Sequence, residues 1–236
     1  MAKKDYQNKN LDKNFIQKDN TFAFNCQECG QCCRNIAKED KILLSTVDLY
    51  RAAKALDMEV TDVIEKYCDM VPGGESMLPL LILKEHMDGS CIFLKKGKCI
   101  IHKEKPIICS LYPLGRMFMY NEEKDDHEFH YYLDDLDPGC AATKDRIVKV
   151  QDWLDEFDIE KYDECMKLYK RLGSFCSKLM HESETIEEKR NMFSTAFYLM
   201  YAKYDKSIDL YGQLAQNLAF IQSINPTQAF DPSKLN

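Results

Sequence analysis

The chain has 236 residues, a formal net charge of −7, 45% hydrophobic residues, five histidines and eleven cysteines. That hydrophobic share supports a full-sized core and excludes global disorder. The acidic balance excludes a general nucleic-acid-binding surface, which needs a basic face.

Residues 1–20 form a Lys/Asn/Asp-rich lead-in without the apolar stretch of a secretion signal. No run along the chain reaches membrane-spanning length. These features predict a cytoplasmic protein with no membrane or nucleic-acid partner. In that reducing compartment, dense cysteine usage means metal or redox chemistry before disulfides. Ser45-Thr-Val-Asp48 predicts a capping box opening a helix with Leu49, Ala52, Ala53 and Leu56 on one face. A second short helix is expected from Thr61, with Val63, Ile64, Tyr67 and Cys68 together, stopped by Pro72-Gly73-Gly74. Pro79 to Leu83 reads as a strand. Cys91 to Leu94 and Lys98 to Ile101 flank Gly97 as a small hairpin, which sets Cys91 near Cys99.

Beyond Thr143 the periodicity reads as helical. Ile147, Val150, Leu154 and Phe157 form one set; Tyr162, Cys165, Tyr169, Leu172, Cys176 and Leu179 form another. A second capping box, Thr185-Ile-Glu-Glu188, opens a helix carrying Met192, Phe193, Ala196, Phe197, Met200 and Tyr204. Leu210, Leu214, Leu218 and Ile221 mark a last helix. The expected fold is α+β and mainly helical. A cysteine-rich metal module over 21–142, with its short hairpin, packs against a helical extension over 143–225, and 226–236 is a tail.

Nine of the eleven cysteines lie between Cys26 and Cys140. The segment Phe24-Asn-Cys26-Gln-Glu-Cys29-Gly-Gln-Cys32-Cys33-Arg34 carries the most information. Cysteines two residues apart can turn both thiolates onto one metal, and Gly30 permits close backbone approach. Adjacent Cys32 and Cys33 cannot easily bind one small ion together, so one faces away or the module has two metal positions. Cys91, Cys99, Cys109 and Cys140 supply the complement. The candidate ligands are therefore Cys26, Cys29, Cys32, Cys33, Cys91, Cys99, Cys109 and Cys140. Cys68, Cys165 and Cys176 sit on apolar helical faces and read as core.

These residues resemble the CxxCxxCC cysteine-cluster family, also called YkgJ-like, whose members are described as zinc- or iron-chelating domains. The resemblance rests on Phe24, Cys26, Cys29, Gly30, Cys32, Cys33 and Arg34. It continues through Cys91-Ile-Phe-Leu94, Cys99-Ile-Ile-His102, Lys105-Pro106, Cys109 and Tyr112-Pro113, covering about 21–140. The family includes flagellin lysine N-methylases and members labelled iron–sulfur proteins. The resemblance implies metal binding and fixes no reaction.

Other residues offer weaker chemistry. His102 is expected to support a ligand sulfur rather than bind metal. His127 and His130 sit in an acidic run read as a solvated loop or strand edge. Arg34 and Arg116 are candidates to offset thiolate charge, or ordinary surface arginines. Lys105-Pro106 and Tyr112-Pro113 shape the loop that presents Cys109. No C-x3-C-x2-C triplet, Walker A sequence or G-x-G-x-x-G occurs. An iron–sulfur cluster, of the [4Fe-4S] type, ranks ahead of zinc as cofactor because the repeated two-residue spacing comes with an extra adjacent cysteine. A structural zinc module and a protein lysine N-methyltransferase with a supporting cluster are the alternatives. The helical extension is the expected surface for a protein partner or substrate.

Overall fold

A computed structural model describes residues 15–34, 41–121, 123, 126–136 and 139–224. The chain runs from β1 (Phe15–Ile16) through β2 (Thr21–Asn25) and the one-turn α1 (Gln31–Arg34) to β3 (Leu43–Leu44), α2 (Thr46–Leu56) and α3 (Val60–Tyr67). Strands β4 (Cys68–Gly73), β5 (Leu78–Leu83), β6 (Leu94–Lys95) and β7 (Lys98–Cys99) follow, then a 3-10 turn at His102–Glu104 and α4 (Ile107–Leu111). The hairpin of β8 (Leu114–Asn121) and β9 (Asp126–Leu133) precedes β10 (Thr143–Lys149). The remainder is helical: α5 (Val150–Glu156), α6 (Asp163–Glu182), α7 (Ile186–Phe197) with a π-helical turn at Tyr198–Ala202, and α8 (Leu210–Ser223). The fold is α+β, with small antiparallel sheets and helices.

Local sequence chemistry explains the helix starts. Ser45 and Asp48 form a reciprocal capping box on α2, and Thr185 and Glu188 do the same on α7, both as expected. The second short helix stops earlier than Pro72-Gly73-Gly74 suggests. It ends at Tyr67, and Cys68–Gly73 is instead the edge strand of a sheet ordered β3-β5-β4. Pro72 is tolerated there, opposite Pro79 near the hairpin end, because an edge strand can lack a donor.

The helical reading from Thr143 also needs correction. Residues 143–149 form β10, which pairs antiparallel with β2, Lys149 opposite Thr21 and Thr143 opposite Asn25. Ile147 is consequently exposed while Val148 is buried, the alternation of a strand rather than a helix stripe. Phe22 and Phe24 alternate inward on β2 in the same way and meet the Trp153 ring edge-on.

The buried side chains form one continuous core from Phe22 to Ile221, joining sheet and helix residues. Helix α6 packs on α7, α8 and β5. Cys165 and Cys176 are buried in this core on α6, as their helical spacing suggests, and Cys68 is buried too, but from strand β4 rather than a helix. Met192, Ala196, Met200 and Tyr204 are core residues too. No helix among the described residues is long and apolar enough to cross a membrane.

Candidate metal centre

The Cys26–Cys33 knuckle is held against the β6–β7 hairpin by backbone geometry. Gly30 has φ +70°, and a Cβ there would lie 2.7 Å from the Gly97 carbonyl oxygen and 2.9 Å from Leu94 Cδ1. Only glycine meets both demands. The hairpin turns through Lys96 and Gly97, both at positive φ (50° and 78°), which sets Leu94 opposite Cys99. The Cys91 amide donates to the Cys33 carbonyl at 2.7 Å, tying the knuckle to the chain entering the hairpin. Cys91 therefore sits just before β6, not on it, and still reaches the same neighbourhood as Cys99.

The β2–β10 register brings a third segment to the knuckle. Because Asn25 faces Thr143, Cys26 and Cys140 leave the same end of this strand pair. The Ala141 amide donates to Cys29 Sγ at 3.5 Å. A side-chain hydrogen bond links Cys29 and Cys140, and the Tyr112 hydroxyl bonds Cys140. The fourth segment is α4, which carries Cys109. Trp153 Nε1 donates to the Leu111 carbonyl at 3.0 Å, so a fully buried indole pins the end of α4. Sequence reading passed over Trp153, although it is the chain's single tryptophan.

The thiols differ in acidity for stated reasons. Backbone amides of Ala141 and Gln31 point at Cys29 and lower its pKa, as two donors favour a thiolate. Burial raises Cys140. Cys33 is raised because its proton is shared with Cys32, Cys91 and Cys99 by side-chain hydrogen bonds. Those bonds lower Cys91, and bring Cys99 down to about 7, against the burial of both. Burial, then the charge of Cys91 and Cys32, raises Cys109. Cys32 thus acts on Cys29, Cys33, Cys91, Cys99 and Cys109, spanning both hydrogen-bonded thiol groups.

Seven of the eight candidate cysteines interact in this way. Cys26 is exposed and is placed beside them by the strand register alone. Among the described residues no three Cys, His, Asp or Glu side chains stand in an arrangement that would hold a single metal ion. The donor chemistry nonetheless fits a thiophilic metal: soft sulfurs, two backbone amides aimed at Cys29, and three acidified thiols.

The remaining candidates take other positions. The His102 ring packs edge-on to Phe157 at 6.2 Å, and burial followed by Lys105 lowers its pKa, favouring the neutral ring. His130 rests on Phe15 at 5.2 Å, and the His127 side chain lies outside the described residues. Arg34 lies beside Gly97 in the hairpin turn. Arg116 is neither a surface arginine nor a counter-charge to the thiols. It is buried over Phe129 and paired with Asp163 at 2.8 Å, a partner 47 positions downstream. The Tyr112-Pro113 peptide is cis.

Residues 25–134 match the family model CxxCxxCC, described as "Putative zinc- or iron-chelating domain". Over 98 residues the chain is 36% identical to an uncharacterized protein, MJ0661, of Methanocaldococcus jannaschii, covering 40% of this chain and 46% of that relative. The chain thus spans about half the length of the curated relative it matches. No solved structure matches. The stretch that this family model matches, residues 25–134, is the one that gathers the knuckle, the hairpin and α4.

Proposed function

We propose that this protein holds a polynuclear thiolate centre, an iron–sulfur cluster of the [4Fe-4S] type, ligated from among Cys29, Cys32, Cys33, Cys91, Cys99 and Cys109. The observation that supports this reading is the set of side-chain hydrogen bonds that Cys33 makes with Cys32, Cys91 and Cys99, which joins sulfurs from the knuckle and the hairpin. Two independent tetrahedral zinc ions would divide the cysteines into separate sets of four. A cluster instead spreads its ligands around several metal atoms, which also relieves the difficulty of adjacent Cys32 and Cys33. Cys140, hydrogen-bonded to Cys29, and the exposed Cys26 are the two remaining candidate ligands. Free thiols in this number suit a reducing compartment, which supports a cytoplasmic location.

A second reading is a structural zinc module. The separate hydrogen-bonded sets, Cys29 with Cys140 and Cys33 with Cys91 and Cys99, favour it. Anaerobic purification with iron, sulfide and zinc analysis and a visible spectrum on one sample decides between the two. About four irons with matching sulfide, and a broad visible band that bleaches on reduction, are expected. A colourless protein carrying stoichiometric zinc overturns the cluster.

A further inference from the structure

We infer that Asp48 and Arg51, two buried charged residues on α2, are the positioning residues that hold the Cys99–Cys109 loop in its metal-binding shape. The inference rests on the metal-binding reading above. The loop cannot hold itself. It contains one 3-10 turn and a five-residue helix, far below the length at which a helix is stable alone. Helix α4 begins after Pro106, whose side chain makes no cap.

Asp48 supplies that cap from another helix. Its Oδ1 accepts the Ile107 amide at 2.7 Å, while Oδ2 accepts the Ser45 amide at 2.8 Å. One carboxylate thus closes the start of α2 and the start of α4, two residues before Cys109. Arg51, at 0% exposure, holds the other side. Its Nη1 donates to the Phe157 carbonyl at 2.8 Å, and its Nη2 donates to the Lys103 carbonyl at 3.3 Å and to Ser110 Oγ at 3.4 Å. Nε faces Glu104 at 3.6 Å without a hydrogen bond. Arg51 therefore touches the loop on both flanks, four residues after Cys99 and next to Cys109.

A fully buried guanidinium with one unsatisfied donor is a costly way to fill a core. An apolar side chain would pack α2 at lower cost but could not grip the Lys103 carbonyl on one flank of the loop and the Ser110 hydroxyl on the other. A planar fork can, which an ammonium cannot reproduce. Both residues lie one turn apart on α2, so a single rigid helix fixes the spacing of Cys99 and Cys109. Helix α2 is itself anchored in the helical layer, where Thr46 Oγ1 donates to the Met200 carbonyl.

The test uses the full chain, purified anaerobically with its metal, and compares wild type with Asp48→Asn, Arg51→Lys and Arg51→Met. The readout is the rate of metal release to a chelator, followed beside far-ultraviolet circular dichroism. Thr185→Ala, which removes the distant α7 cap, controls for general destabilisation. Release should quicken about 10- to 100-fold in Asp48→Asn and Arg51→Met, less in Arg51→Lys, and little in Thr185→Ala, with helical signal retained. Metal-loaded variants releasing at the control's rate overturn the positioning role. So does release that quickens only in proportion to lost helical signal. Wild type that never carries metal sinks the metal reading, and this inference with it.

Discussion

Replacing Gly30 with alanine tests whether the knuckle and the hairpin must touch. The residue sits at φ +70°, where a side chain costs roughly 1–2 kcal/mol in backbone strain. The new Cβ would stand 2.7 Å from the Gly97 carbonyl oxygen, a backbone atom that cannot swing aside as a side chain could. Overpacking of this kind adds about 1–3 kcal/mol, so the total is roughly 2–5 kcal/mol against a typical stability of about 5–15. Relief requires the hairpin to back away, carrying Cys99 from Cys33. Urea denaturation should show the midpoint falling by about 1–2.5 M at a slope near 2 kcal/mol/M. Metal per chain should drop in the same preparation. Gly74→Ala is the control, since nothing lies within 4 Å of a Cβ there and its φ is ordinary. A Gly30→Ala protein with wild-type metal content and the midpoint of Gly74→Ala would refute the reasoning.

Three further outcomes follow from named groups. Cys109→Ser should lower metal content and solubility together, whereas Cys176→Ser, buried in the α6 core, should cost about 1 kcal/mol and leave metal per chain unchanged; equal metal content in both argues against Cys109 as a ligand. In metal-free protein, iodoacetamide followed by mass spectrometry should label Cys29 before Cys140. Both are half-buried, but backbone amides lower one thiol while burial raises the other, so the reverse order contradicts the assignment. Burial lifts Asp163 to about 6 despite Arg116, so the folded protein binds a proton there that the unfolded chain has lost. The contribution of Asp163 to stability therefore falls as pH rises from about 4 to about 6, on the order of 3 kcal/mol in all. Stability curves of wild type and Asp163→Asn should diverge across that window, and parallel curves would count against the buried carboxyl.

What could be read from the sequence was local. Both capping boxes and the Gly97 hairpin were legible because their partners lie within a few residues. The ordered cysteines were legible for the same reason, as spacing alone marks the knuckle. Strand β10 was not, because its partner β2 is about 120 residues away and a register carries no local mark. Residues 143–149 show apolar positions that extend the following helix pattern, which hid the alternation of Ile147 and Val148. Arg116 was misjudged because its carboxylate comes from the start of α6. The membership of the thiol groups was also hidden: Cys29 meets Cys140 only through the β2–β10 pairing, and Cys33 meets Cys91 only across a backbone hydrogen bond between distant segments.

The same division bears on what metal loss should do. The segments that carry the cysteines are a one-turn α1, a two-residue β-ladder and the five-residue α4, none stable alone. The core runs through the helices and reaches Cys91, Phe93, Ile101, Ile107 and Leu111 in the module, but it leaves out the exposed thiols Cys26 and Cys32. Removing metal should therefore loosen the knuckle, the hairpin and the Cys99–Cys109 loop while the helical layer persists, a local opening rather than the global collapse of a zinc finger. Hydrogen exchange before and after chelation should show protection lost in peptides over 24–34, 89–111 and 139–142, and kept across α6 to α8. If chelation instead abolishes the helical signal altogether, the core depends on the metal, and the separation argued from its packing is wrong.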